Sequence, residues 1–439
     1  MFHILPNILF IFICCVGIGF FIKNIRKLIR NIRLAQPIDA NDNKKERWKR
    51  MIYLSLGQSK LTIRPIAGIL HILVYLGFII INIEIIEIII DGILGTHRIF
   101  KILGSFYNFL IGSFEILAIL VIFSVITFWI RRNLIKLQRF QKKELNGKPK
   151  YDANIILYAE FVMMSLFLIM NASDFKLQSL GIPPYHSAGS FPISQFISPL
   201  LPSNTFTLIC IERIAWWLHI IGIFIFMNYL FYSKHLHILL SFPYTYYSSV
   251  KPKGELNNLE SVTKEVKAML DPNNDPFAVI DEESETPTFG TSDIFNLNRT
   301  QLLSAYACTE CGRCTDECPA NLTGKLLSPR KIMMDTRDRA EEIGRNIDKN
   351  GKFIDDNKKL IDNYISREEI WACTTCNACV EACPLEINPL SIIIDLRRHL
   401  VMEKSSAPSS LTKMMTNIEN TNSPWAYNPQ ERANVFKEN

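Results

Sequence analysis

The sequence predicts an all-α chain of two unlike parts, a transmembrane bundle of five helices followed by a helical domain organised around two cysteine runs. Three observations carry that prediction. Residues 1–240 are dominated by Ile, Leu and Phe in five long apolar stretches, while 241–439 read as ordinary soluble protein rich in Asp, Glu, Lys and Asn. Basic residues alternate along the first part, abundant in one loop and scarce in the next. Eight of the eleven cysteines fall in two short runs within the second part.

At 439 residues the chain has room for two or three domains. Its 48% hydrophobic content and mean hydropathy of +0.13 average over the two parts. The net charge of +6 does not point to nucleic acid, because the basic residues sit beside apolar stretches instead of forming one patch. A disulfide framework would spread the cysteines along the chain. Two tight groups point instead to metal binding in a reducing compartment. Cys14, Cys15 and Cys210 lie in or beside apolar segments and are read as small apolar residues.

A bilayer core takes roughly 20 apolar residues, and the stretches 4–22, 66–90, 106–130, 154–170 and 214–232 reach or approach that length. The first lacks a basic leader and a small-residue cleavage site, and its charges follow it, so a retained helix is expected. Residues 1–22 carry no Lys or Arg, 23–64 carry twelve, 91–105 two, 131–150 eight and 171–211 one. Basic loops stay inside, so the N-terminus is expected outside and the C-terminal domain in the cytoplasm. The expected setting is the inner (cytoplasmic) membrane, crossed several times.

Polar side chains in apolar helices are costly and are functional candidates by default. His71 lies near the cytoplasmic end of the second stretch, His219 towards the outer side of the fifth, and His235 and His237 at its cytoplasmic end. Eighteen residues make a whole number of helical turns, so His219 and His237 are expected on one face, about 27 Å apart along a continuous helix. His235 points away from that face. Axial histidines on facing helices hold haem in helical bundles. His71 with His237 would hold one haem b near the cytoplasmic surface. His219 would need an outer partner, for which His97 is available if the chain bends back at Asp91-Gly92 and Gly95. The competing reading of His97 and His235 is an interfacial histidine bonded to head groups or backbone. One or two haems are expected. Glu84, Glu87, Glu115 and Glu160 also sit in apolar surroundings, which suits the proton traffic of a quinone, or for Glu84 and Glu87 an outer interfacial position.

The second part holds Cys308, Cys311, Cys314 and Cys318 followed by Pro319, then Cys373, Cys376, Cys379 and Cys383 followed by Pro384. Both are C-x2-C-x2-C-x3-C-P, the bacterial ferredoxin run, in which three cysteines hold one cubane and the fourth reaches to the other. By that rule one [4Fe–4S] cluster takes Cys308, Cys311, Cys314 and Cys383, and the second takes Cys373, Cys376, Cys379 and Cys318. The 54 residues between the runs read as helical, with Ser328-Pro329 opening one helix and Asn388-Pro389 another after the second run. The expected organisation is a haem b and quinone domain over 1–240, a linker with a short helix over 241–295, an α-helical dicluster ferredoxin domain over 296–404, and a tail over 405–439.

The cysteine domain resembles the α-helical ferredoxin of the heterodisulfide reductase C-like proteins, which is similar to the cluster domain of succinate dehydrogenase iron–sulfur subunits. The membrane part looks like the haem b subunit of respiratory nitrate reductase (the gamma-like type) and the heterodisulfide reductase E-like proteins. The nearest likeness is to fused (Fe–S)-binding membrane proteins of the Bacteroidetes type. The nitrate reductase pattern supplies two histidines within helix two, where this chain has only His71 clearly inside. The resemblance implies a separate cytoplasmic partner bearing CCG-type cysteine motifs, since no cysteine follows Cys383. The segment containing Pro424, Trp425, Tyr427 and Pro429 resembles the stretch found near such partners and suits docking.

The expected function is electron transfer between the membrane quinone pool, haem b, the two clusters and that partner. The alternative is a membrane-anchored dicluster relay or redox sensor without quinone chemistry. A plain anchor needs only one or two helices, whereas this chain carries five.

Overall fold

The computed structural model describes residues 4–38, 40, 42–271, 288–426 and 428–436. Among these there is no strand, only helices and two isolated bridges. Five helices are long and apolar enough to cross a membrane: α1 (Ile4–Ile32), α2 (Pro65–Leu94), α3 (Ser105–Asn133), α4 (Lys148–Ser179) and α5 (Thr205–Tyr229). Each of α2 to α5 packs on its neighbour in sequence, and α1 closes the ring against both α2 and α5. The shared core includes Ile111, Ala118, Phe167 and Ile220, all fully buried. Small residues permit the close approaches: a Cβ on Gly77 would stand 2.5 Å from the Val121 side chain. The outward faces of α1 remain apolar and exposed, as Leu5, Phe12 and Phe20 show, which is the pattern of a surface solvated by lipid.

The fifth helix does not run on to His237. It ends at Tyr229, passes through two short turns, and restarts as α6 (His237–Tyr247). Asp152 of α4 causes the break: its carboxylate accepts from Tyr229 OH at 2.7 Å and from the Lys234 N–H at 3.0 Å. Ser233 is extended there and its hydroxyl accepts the His235 N–H. The expectation that His219 and His237 share one face of a continuous helix is therefore corrected. Instead α6 packs between the short helix Lys44–Met51 and the first helix of the cysteine domain.

That domain is built from two copies of one plan. In the first, α7 (Arg299–Ala307) opens with an Asn298/Gln301 capping box and ends on Cys308, and α8 (Pro329–Asn350) starts from Ser328-Pro329. In the second, Arg367–Ala372 opens with a Ser366/Glu369 capping box and ends on Cys373, and α9 (Pro389–Arg398) starts from Asn388-Pro389. Ile332, Ile343, Ile392 and Leu396 fill the space between α8 and α9. The short helix expected within the 241–295 linker is present as Glu260–Leu270; residues 272–287 of that linker lie outside the described residues. In the tail, Ser409–Thr421 is helical and Trp425 is exposed, while Tyr427 lies outside the described residues.

The two parts meet through charge. Lys27 and Arg30 at the end of α1 pair with Asp348 of α8 at 2.6 and 2.5 Å. Arg50 and Lys60 converge on Glu386, Arg64 reaches Asp316 and Glu317, and Glu144 holds the fully buried Arg330 at 2.7 Å. The basic loops 23–64 and 131–150 thus lie against the cysteine domain at one end of the bundle.

Burial raises the Glu144 carboxyl, but the Arg330 hydrogen bond and charge outweigh it and hold it below the usual range. Asp348 behaves alike, its burial outweighed by Lys27 and Arg30. A carboxyl with a depressed folded pKa stabilises above its unfolded value, near 4, and loses that contribution as pH falls through the folded value. Docking of the two parts is therefore expected to hold at pH 5 to 7 and loosen below about pH 4, read as new protease cleavage in the 253–295 segment. Unchanged cleavage down to pH 3 would contradict it.

Candidate functional site

The eight cysteines of the two runs form two groups, each drawing on both runs. Cys318 lines one cavity with Cys373, Cys376 and Cys379, beside Pro319, Leu390 and Ile393. Cys383 stands with Cys308, Cys311 and Cys314. Burial, then the neighbouring sulfurs, pushes Cys308 up to about 11 and Cys379 and Cys383 up to about 12. Such crowded thiols lose their protons only when a cation compensates the charge, which iron does. Among the described residues no three His, Cys, Asp or Glu side chains converge on one ion position; in a cubane each thiolate takes a separate iron corner, so the sulfurs stand apart.

The backbone repeats with the sequence. Glu310 and Thr375 both take positive φ (55° and 56°), as do Gly312 (77°) and Asn377 (61°). These left-handed residues wrap the loop around its site, and Gly and Asn tolerate that conformation best. Glycine is needed at 312 for a second reason: a Cβ would stand 2.5 Å from the Arg330 guanidinium.

Three of the five candidate histidines share one arrangement. His71 Nδ1 is 3.2 Å from Gln58 Oε1, His237 Nδ1 is 3.1 Å from the Lys234 carbonyl, and His219 Nδ1 is 3.0 Å from the Met163 carbonyl. Each bond fixes the proton on Nδ1 and leaves Nε2 as an acceptor. For His219, which is 1% exposed, Nε2 has no partner. The His71 and His237 rings lie beside each other, centroids 6.2 Å apart and planes tilted by 49°. His235 packs against His237 and Phe226, and its Nε2 is 3.7 Å from Glu160. His97 is elsewhere: Nε2 is 3.3 Å from Asp174 and its ring lies on Tyr185. Met163 and Asp174, which hold His219 and His97, lie eleven residues apart on α4, about 16 Å along its axis, so the expected His97–His219 pairing is corrected. Asp174, on α4, captures the loop that carries His97.

Lys234 joins the histidines to the cysteines. Its ammonium is 2.5 Å from Glu310, which lies between Cys308 and Cys311, and Arg337 holds the same carboxylate at 2.9 Å. Arg313, between Cys311 and Cys314, reaches the Lys60 and Leu61 carbonyls and lies within electrostatic range of His71.

At the other end of the bundle a charged network is buried. Arg98 binds the Asp174 carboxylate, Tyr107 OH (3.0 Å) and Asn171 Oδ1 (2.8 Å). Tyr107 OH donates to Glu87, which also accepts the Phe100 N–H. Glu115 accepts the N–H groups of Ile193 and Ser194. Glu87 and Glu115 thus close loops onto helices. Glu84 does not: it is 3% exposed and its Oε2 has no partner. Sequence reading missed Gln58, Arg98, Asp174 and Lys234; the available signal was a lone arginine beside buried acids in a charge-poor loop.

An apolar five-helix bundle carrying a domain with two four-cysteine groups is the build of a membrane-bound iron–sulfur electron-transfer protein. Comparison with known proteins agrees. Residues 307–387 match the 4Fe-4S dicluster domain family. Over 99% of its length the chain is 28% identical to the "Probable iron-sulfur-binding oxidoreductase FadF" of Bacillus subtilis, covering 61% of that protein. Over 93% it is 24% identical to the "EtfAB:quinone oxidoreductase" of Syntrophomonas wolfei, covering 55% of that protein. The chain therefore spans little more than half the length of these relatives. Over 27% of its length it is 30% identical to one polypeptide of the ferredoxin/F(420)H(2)-dependent CoB-CoM heterodisulfide reductase of Methanosarcina acetivorans, covering 60% of that polypeptide. No solved structure matches the chain.

Proposed function

We propose that this chain is the membrane subunit of a quinone-linked oxidoreductase, passing electrons between the quinone pool, haem b, two [4Fe–4S] clusters and a cytoplasmic iron–sulfur partner of the CCG-domain kind. The first cluster is held by Cys308, Cys311, Cys314 and Cys383, the second by Cys373, Cys376, Cys379 and Cys318. The observation that carries the reading is the adjacent pair His71 and His237, with Nδ1 of each tied to an acceptor, next to the loop of the first cysteine group. Two imidazoles on one iron, each bond about 2 Å long, stand with ring centres roughly 6 Å apart. Oriented Nδ1–H groups are the usual outer support of such ligands. A haem there would supply a one-electron carrier between the quinone and the first cluster. His219, with its free Nε2, is the candidate ligand for a second haem at the outer depth. The quinone in the name of the S. wolfei relative supports the same direction. The basic loops on the cluster side of the bundle support a cytoplasmic cluster domain and an outer N-terminus in the inner membrane.

The test is the dithionite-reduced minus oxidised optical spectrum of the purified chain, with haem and iron quantified. A b-type signal lost in His237→Ala, with iron retained, is the expected result. A second haem lost in His219→Ala would add the outer ligand. Iron without any haem would leave the membrane-anchored relay as the reading.

A further inference from the structure

Between α1, α2 and α5, at the end of the bundle away from the cysteine domain, lies a cavity of about 340 Å³. Its lining includes Phe10, Trp216 and Trp217 together with Glu84, His97 and Arg213. Two buried polar atoms among these linings have no hydrogen-bond partner among the described residues: Glu84 Oε2 and His97 Nδ1. Orphaned buried polar groups are rare, and two on one cavity point to a ligand with polar atoms to match. Asp174 holds the His97 Nε2 proton, so Nδ1 is an acceptor. Arg213 is fixed by Glu212 and lies over the Trp216 ring, 5.4 Å from its centroid. A cavity lined by edge-packed aromatic rings with a carboxyl and an imidazole among them, set between lipid-facing helices, suits a ring that is apolar on its faces and polar at its edge.

From this we infer that the outer cavity is the headgroup site for the lipophilic quinone, a placement that rests on the quinone-linked reading above. Quinol becoming quinone releases two electrons and two protons. The haem and clusters of that reading would accept the electrons; within the cavity the Glu84 carboxylate would take one proton and His97 Nδ1 the other. The reverse reaction returns both protons from the same two groups.

The test uses the full chain in detergent. Titration with a short-chain naphthoquinone is expected to give a saturable quench of tryptophan fluorescence. That component should vanish in the Trp216→Phe/Trp217→Phe variant, leaving the linear quench of the tryptophans outside the cavity. Glu84→Gln is expected to slow quinol-driven cluster reduction at least tenfold while the dithionite-reducible iron–sulfur signal stays unchanged. Glu84 Oε2 bonds nothing, so this near-isosteric change should fold. If the wild type is reduced by quinol while both variants behave like it, the cavity assignment falls and the quinone-linked reading stands. If the wild type shows neither saturable quench nor quinol-driven reduction, both fall.

Discussion

Replacing Cys318 with serine is expected to remove the cluster held by the second cysteine run while leaving the first largely intact. Sequence adjacency alone would assign the damage to the first run, where Cys318 sits. The structure places its sulfur in the cavity of Cys373, Cys376 and Cys379, and Cys318 is only 6% exposed. A serine hydroxyl in that buried position is a poor, high-pKa ligand for iron. Iron should fall by about half, and the reduced protein's electron paramagnetic resonance spectrum should lose the magnetic coupling between two neighbouring clusters. Cys383→Ser is the reciprocal experiment and should remove the other cluster. Equal loss of both clusters in each variant would refute the exchange of fourth ligands, unless the domain had unfolded; the far-ultraviolet helical signal separates the two cases.

Arg339→Ala is expected to give a large loss of stability in the cysteine domain. Arg339 is fully buried on α8 and grips Asp293 at 2.8 Å, Asp356 at 2.6 Å and the Lys358 carbonyl. Asp293 lies where the chain enters the domain, and Asp356 in the segment between the two runs, so one guanidinium ties both to α8. Removing it leaves two carboxylates facing each other over a cavity. Breaking a buried pair by removing one partner costs about 3–5 kcal/mol, and at about 4–8 °C per kcal/mol for a domain of this size the midpoint should fall by more than 10 °C. Arg339→Lys keeps the charge but cannot fork between two carboxylates, so an intermediate loss is expected. The measurement is thermal loss of the iron–sulfur absorbance; an unchanged midpoint in the alanine variant would refute the role.

The class of each element and the grouping of the cysteines were legible in the chain alone. Five apolar lengths determine five helices, because a chain in lipid must satisfy its own backbone. The repeated C-x2-C-x2-C-x3-C-P runs determined which cysteines cluster, because that spacing is local and the turn chemistry at Gly312 and Asn377 is local too. The helix starts at Ser328-Pro329 and Asn388-Pro389 were legible for the same reason.

The remaining features depend on residues far apart in the chain. The break after Tyr229 follows from Asp152, some eighty positions earlier, taking the Tyr229 hydroxyl and the Lys234 N–H; no periodicity within the fifth helix reports it. The diversion of His97 follows from Asp174 and Tyr185. Glu84, Glu87 and Glu115 look alike in sequence, yet two are held by backbone N–H groups of other segments, while Glu84 keeps an oxygen with no hydrogen-bond partner among the described residues. A buried polar group takes whichever partner the fold brings to it, and that partner is set by packing between helices, not by neighbours in the chain.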